Sequence, residues 1–96
     1  MKTLEEVQTA LRMHRSILEQ EYGVTRLAVF GSFARSEQTV QSDVDLLVEL
    51  KAPLGLRFVH LADFLETVVG LKVDLLTPDA VKPNRRAYIM KDLVYV

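Results

Sequence analysis

Asp43-Val44-Asp45-Leu46-Leu47-Val48-Glu49-Leu50 decides the fold. Val44, Leu46, Val48 and Leu50 are apolar; Asp43, Asp45 and Glu49 alternate with them, and Leu47 stands between. Side chains of an extended chain point alternately to two faces, so this stretch reads as a strand with one face in a core and the other carrying charge. Upstream, Arg26-Leu27-Ala28-Val29-Phe30 is short, apolar and partly β-branched, a buried strand that Gly31-Ser32 ends. Phe33-Ala34-Arg35 can open a short helix with Ser32 as its cap. Ser36 to Ser42 is polar and aperiodic and reads as a loop. Downstream, Ala52-Pro53-Leu54-Gly55 is a turn. A helix then runs to about Val69, with Phe58, Leu61, Leu65 and Val68 as its buried stripe and Gly70 as its stop. Lys72 to Thr77 is a further strand, broken by Pro78-Asp79; Arg85 to Leu93 is a last short helix, and Val94-Tyr95-Val96 an apolar tail. At the other end, Thr3 to about Tyr22 reads as one helix. Thr3 and Glu6 have capping-box spacing, Leu4, Val7, Leu11, Leu18 and Tyr22 form its stripe, and Gly23 stops it. The order predicts an α/β (α+β) fold: a small mixed sheet of about three strands with helices packed on one face, the Val44/Leu46/Val48 face.

Composition narrows the function. Ninety-six residues give one domain, 1–96, with a modest core. The absence of Cys excludes disulfide scaffolds, zinc knuckles and thiol nucleophiles. No apolar run reaches bilayer length, and Glu5 and Glu6 stand where a signal peptide would be apolar, so a cytoplasmic protein with no membrane role is expected. A net charge of −1 gives no general attraction to nucleic acid, and no direct nucleic-acid binding is expected.

Three aspartates stand in strands, where Asp is depleted. Asp43 and Asp45 are two apart and share a face; Asp74, within Val73-Asp74-Leu75-Leu76, joins them if its strand is a neighbour. Singly, each also fits a turn cap or a solvated sheet face. Together they would repel one another. A divalent cation relieves that repulsion, and all-oxygen ligands favour Mg²⁺ or Mn²⁺. Gly31-Ser32 taken alone is a plain strand-to-helix turn with a capping Ser. Its glycine can also admit a ligand, and its Ser hydroxyl and helix-opening amides can hold phosphate oxygens, a reading to which the spacing that follows gives weight. Ten residues, Phe33 to Ser42, separate Ser32 from Asp43. His14 and His60 lack a second metal ligand at a convincing spacing; His60 and Asp63 read as a surface pair. Lys82, Arg85, Arg86 and Lys91 read as a solvated basic helix, Tyr88 and Tyr95 as packing residues.

Gly-Ser, ten residues, then Asp-x-Asp on a strand resembles the nucleotidyltransferase superfamily that includes DNA polymerase beta. Gly31-Ser32-Phe33-Ala34-Arg35, Ser42-Asp43-Val44-Asp45-Leu46-Leu47-Val48 and Gly70-Leu71-Lys72-Val73-Asp74-Leu75-Leu76 together resemble its minimal nucleotidyltransferase (MNT) group, from about Arg26 to Val96. Members of that group are often antitoxins paired with a HEPN-domain RNase toxin. The resemblance implies that Gly31 and Ser32 hold the β- and γ-phosphates of ATP. It implies that Asp43 and Asp45 bind two Mg²⁺ ions, Mn²⁺ serving also, and that Asp74 is the third carboxylate, ligating the second metal and helping to deprotonate the acceptor hydroxyl. Arg35, beside the turn, is a candidate phosphate contact. Ser36 stands where the group usually has Gly, a departure that removes no metal ligand.

The implied function is an antitoxin that moves AMP from ATP onto a hydroxyl of a partner HEPN toxin, in related pairs a tyrosine, and so silences it. A chain this small has no room for an acceptor-gripping domain, which points to a hetero-complex. Two alternatives stay open: an antitoxin that masks the toxin by binding alone, and a nucleotidyltransferase acting on a small molecule or an RNA end. Three costly carboxylates argue against a pure binder, and the lack of a strong basic face argues against RNA.

Overall fold

Helix α1 (Leu4–Met13) starts where the capping box lies: the Thr3 hydroxyl accepts the Glu6 amide at 3.2 Å, and the Glu6 carboxylate accepts the Thr3 amide at 3.1 Å. The computed structural model describes all 96 residues. The expected single helix to Tyr22 breaks at His14. Its Nδ1 donates to the Ala10 carbonyl at 2.9 Å, while its amide turns to Leu11 O at 3.1 Å. The side chain thus takes the acceptor that the main-chain amide would have used, and α2 (Arg15–Tyr22) starts afresh. One shared residue between two helices leaves the apolar stripe intact, so periodicity does not register the break. Gly23, left-handed at φ +67°, ends α2.

β1 (Val24–Phe30) runs straight into α3 (Gly31–Ala34), and β2 (Val44–Leu50) returns antiparallel beside it. α4 (Arg57–Val69) crosses over to β3 (Val73–Leu76), which pairs with β2 in parallel. A 3₁₀ turn (Pro78–Ala80) and α5 (Pro83–Lys91) follow. The sheet has four strands, in the order β3-β2-β1-β4, instead of about three. The addition is β4 (Val94–Tyr95), the stretch expected as a tail: it pairs antiparallel with Val29 and Ala28, and the Val96 amide donates to Leu27 O at 2.9 Å. Two residues are too few to show a strand's alternation.

The core lies where expected, on the Val44/Leu46/Val48 face. Those three are fully buried, with Val7, Leu11 and Leu18 from the first two helices and Leu61, Leu65 and Val69 from α4. Val69 replaces Val68 in the buried stripe, and Phe58 is only half-buried. A smaller cluster of Phe30, Leu47, Val81 and Ile89 sits on the opposite face and brings α5 across it. That cluster explains Leu47, the apolar residue among acidic neighbours. No helix is long and apolar enough to cross a membrane.

Candidate active site

Strand register assembles the carboxylates. Asp45 pairs with Phe30 of β1 on one side and with Asp74 of β3 on the other. Paired residues present side chains to the same face, so Asp45 and Asp74 stand side by side, with Asp43 two residues away on that face. This is the face that α5 only partly covers. The turn before Asp43 is fixed by Ser42: its hydroxyl accepts the Thr39 amide at 2.8 Å, and its own amide donates to Thr39 O at 3.1 Å.

Gly31 follows Phe30 and therefore meets Asp45. Its φ is +73°, and a Cβ built there would lie 2.1 Å from Asp45 Oδ2 and 3.1 Å from Cγ. Two independent constraints thus demand glycine: a left-handed backbone and a carboxylate in the space of a side chain. The helix begins at Gly31 itself, with Phe30 as its cap residue. Ser32 is accordingly in the first turn and not the cap that its position suggested. Ser36 keeps the left-handed conformation, φ 56°, that a glycine would take at that point, and it is the single non-glycine residue with positive φ.

Asp43 and Asp74 are exposed and Asp45 is half-buried. Burial pushes the Asp45 carboxyl up to about 6, and the charges of Asp74 and then Asp43 push the same way; Arg85 and Arg35 pull against them. No three acidic or His side chains close into a metal cage. An open row of carboxylate oxygens nevertheless fits Mg²⁺, which keeps several waters and takes substrate phosphate oxygens. The Asp45 carboxylate fills the space that a side chain on Gly31 would take, and so lies directly against the Gly31-Ser32 turn.

A cleft of about 580 Å³ opens over this point. Phe30, Gly31, Ser32, Arg35 and Asp45 form one wall, and Asn84, Arg85, Tyr88, Ile89 and Asp92 the other. Arg35 reaches the cleft, but its guanidinium donates to Glu37 Oε1 and to Asp92 Oδ2, each at 2.8 Å. Those bonds, Glu37's ahead of Asp92's, raise its pKa further. A cavity of about 620 Å³ beside β3 and one of about 220 Å³ between α2 and β1 contain none of the candidate residues. The structure thus brings Gly31, Ser32, Arg35 and Asp45 into one cleft and sets Asp43 and Asp74 on the same sheet face at its edge. His14, edge-on to Phe64 at 5.8 Å, is structural. Tyr95 packs under Arg26, 4.1 Å from its ring centre.

The α5 wall was missed. Tyr88 is no packing residue: it is 77% exposed and lines the cleft. Asn84, Tyr88 and Asp92 recur every four residues and so share one helix face. That spacing is present in the sequence. It is hidden because α5 is polar nearly all round, with Ile89 its one buried residue.

A small mixed sheet with Gly-Ser at the end of β1 and paired aspartates on its neighbouring strands defines a nucleotidyltransferase. The chain belongs to the nucleotidyltransferase domain family, which it matches over residues 11–96. It is 38% identical to the protein adenylyltransferase MntA of Thermococcus cleftensis, covering 100% of this chain and 98% of that one. It is 46% identical, over the full length of both chains, to a Methanocaldococcus jannaschii protein provisionally named protein adenylyltransferase. Among solved structures, the complex of a tri-AMPylated Shewanella oneidensis HEPN toxin with its MNT antitoxin contains a similar fold. Its TM-score is 0.67 at 16% identity, over 93% of this chain and 70% of that one.

Proposed function

We propose that this chain is a single-domain, cytoplasmic antitoxin that transfers AMP from ATP to a tyrosine hydroxyl of a partner HEPN toxin and so silences it. The observation that carries the reading is the contact of Gly31 with Asp45, and of Asp45 with Asp74 across the sheet, at the floor of an open cleft. Relatives named protein adenylyltransferase, and an MNT antitoxin solved with an AMPylated HEPN toxin, support the same acceptor class. Asp43, Asp45 and Asp74 would hold two Mg²⁺ ions, with Mn²⁺ as a substitute. When bound, such ions supply charge neutralisation for the attacking and leaving oxygens.

The chain's own residues do the rest. Gly31 and Ser32 border the triphosphate through the opening amides of α3 and the Ser32 hydroxyl, and Arg35 closes the cleft beside them. The acceptor oxygen bonds to the α-phosphorus as the bond to pyrophosphate breaks. Asp74, exposed at the edge of the row, takes the acceptor proton.

The test is label transfer from α-phosphate-labelled ATP, with Mg²⁺ and the partner toxin, beside an Asp45→Asn control. Label on the toxin that vanishes in the control is the expected result. A tight complex with no label in either sample would replace this reading with neutralisation by masking.

A further inference from the structure

Arg35, the cation that the sequence offered for phosphate, already holds two carboxylates, Glu37 and Asp92. Its charge is spent on tying the Gly31–Ala34 turn to the C-terminal end of α5. Arg85 faces the same cleft from the other wall and takes part in none of the chain's three ion-pair contacts. Its positive charge is felt at the Asp45 carboxylate, ahead of that of Arg35. One helical turn further on, Tyr88 lays an exposed ring along the same wall. Ile89 beneath it is buried among Phe30, Leu47 and Val81, which fixes the helix on the sheet. The cleft thus has a carboxylate floor, one uncommitted guanidinium and one aromatic face, all on rigid elements.

We infer that this face of α5 is the nucleotide's second wall: Arg85 pairs with the phosphate chain, and Tyr88 provides the surface on which the purine stacks. The inference rests on the nucleotide-transfer reading and adds to it the residues that grip the donor. Guanidinium matches phosphate oxygens in a two-pronged geometry that an ammonium lacks. An aromatic ring stacks on a base without needing its hydroxyl. The contact with Asp92 makes Arg35 a positioning residue, one that holds the Gly31-Ser32 turn against α5.

Binding by calorimetry tests this apart from catalysis, with Mg²⁺–AMP-PNP and Mg²⁺–tripolyphosphate as the two probes. Arg85→Ala is expected to weaken both probes at least about tenfold, as loss of a charge-assisted contact does. Arg85→Lys restores part of the loss. Tyr88→Ala is expected to weaken AMP-PNP about fivefold or more and leave tripolyphosphate unchanged, while Tyr88→Phe binds both as the parent does. Arg86→Ala removes the same charge from the same helix, away from this cleft, and is expected to bind normally. Equal losses for Arg85→Ala and Arg86→Ala would reduce the effect to net charge and overturn the Arg85 assignment. Unchanged AMP-PNP affinity in Tyr88→Ala would overturn the stacking wall. Both failures leave the parent chain binding nucleotide and labelling its partner. A parent chain that binds neither probe would instead sink the nucleotide-transfer reading and this inference with it.

Discussion

Asp45→Asn should make the metal-free protein more stable while destroying its activity. The carboxyl moves from 3.8 to about 6 on folding because burial and the charges of Asp74 and Asp43 disfavour its ionised form. A raised carboxyl pKa means that the folded state binds the proton more tightly than the unfolded chain does. The resulting stability is fully present below pH 3.8, is lost as the pH climbs to about 6, and is absent at neutral pH. At about 1.36 kcal/mol per pH unit, the move costs at most about 3 kcal/mol. The carboxylate borders an open cleft, and solvent screening removes about half of that, leaving about 1.5 kcal/mol. A domain of this length gains about 4–8 °C per kcal/mol, so Asp45→Asn should melt about 6–12 °C higher at pH 7.5 in EDTA. The gap should close as the pH falls below 4. Millimolar Mg²⁺ should then raise the parent's Tm and leave the variant's unmoved, since a ligand stabilises only the state that binds it. Thermal melts at several pH values, with EDTA or Mg²⁺, measure all of this. A variant less stable than the parent in EDTA at pH 7.5 would refute the picture of a repelling carboxylate row.

Other outcomes follow from the same geometry. Gly31→Ala should lose at least about 1–2 kcal/mol to left-handed strain alone and should lose Mg²⁺-induced stabilisation, because the new methyl displaces the Asp45 carboxylate; melts with and without Mg²⁺ read both. Ser36→Gly should gain about 0.5–1 kcal/mol in urea unfolding by relieving the single strained non-glycine residue, with label transfer kept. Truncation after Leu93 removes β4 and the Val96–Leu27 bond; a loss of about 2–3 kcal/mol and concentration-dependent association through the bared β1 edge are expected in denaturation and light scattering.

The elements that the sequence disclosed are those with a long one-sided pattern. Seven residues of β2 and thirteen of α4 alternate or repeat often enough to reveal their buried face, and Gly70 marked the end of α4 as a left-handed cap. The aspartates were legible because a carboxylate inside an apolar strand conflicts with its surroundings, and the spacing between Ser32 and Asp43 tied them to the Gly-Ser turn. What stayed hidden was decided by contacts between distant segments. β4 exists because β1 offers it an open edge, and the break at His14 depends on where one imidazole finds a carbonyl. Arg85 looks like solvated helix and Tyr88 like a packing residue until Ile89 docks against Leu47 and brings their helix face over Asp45. The role given to Arg35 ran into a partner 57 residues away, Asp92, which no local pattern announces.

The core and the site are two consequences of one register. Val44 and Leu46 of β2 pair with Val73 and Leu75 of β3, and Val44, Leu46 and Leu75 are buried on the packed face. The interleaved residues, Asp45 and Asp74, are thereby forced together on the other face. A slip of one position between these strands would put Asp74 into the apolar layer and Leu75 into solvent, an exchange that the burial of Leu75 forbids. Main-chain bonds at the start of the strand pin the same alignment: the Val44 amide donates to Lys72 O at 2.8 Å, and Glu66 of α4 accepts the Val73 amide at 2.9 Å. The repulsion among the carboxylates would spread them if they stood on loops. On adjacent strands they cannot separate without dismantling the hydrophobic layer behind them, so the stability of the core holds the charges side by side.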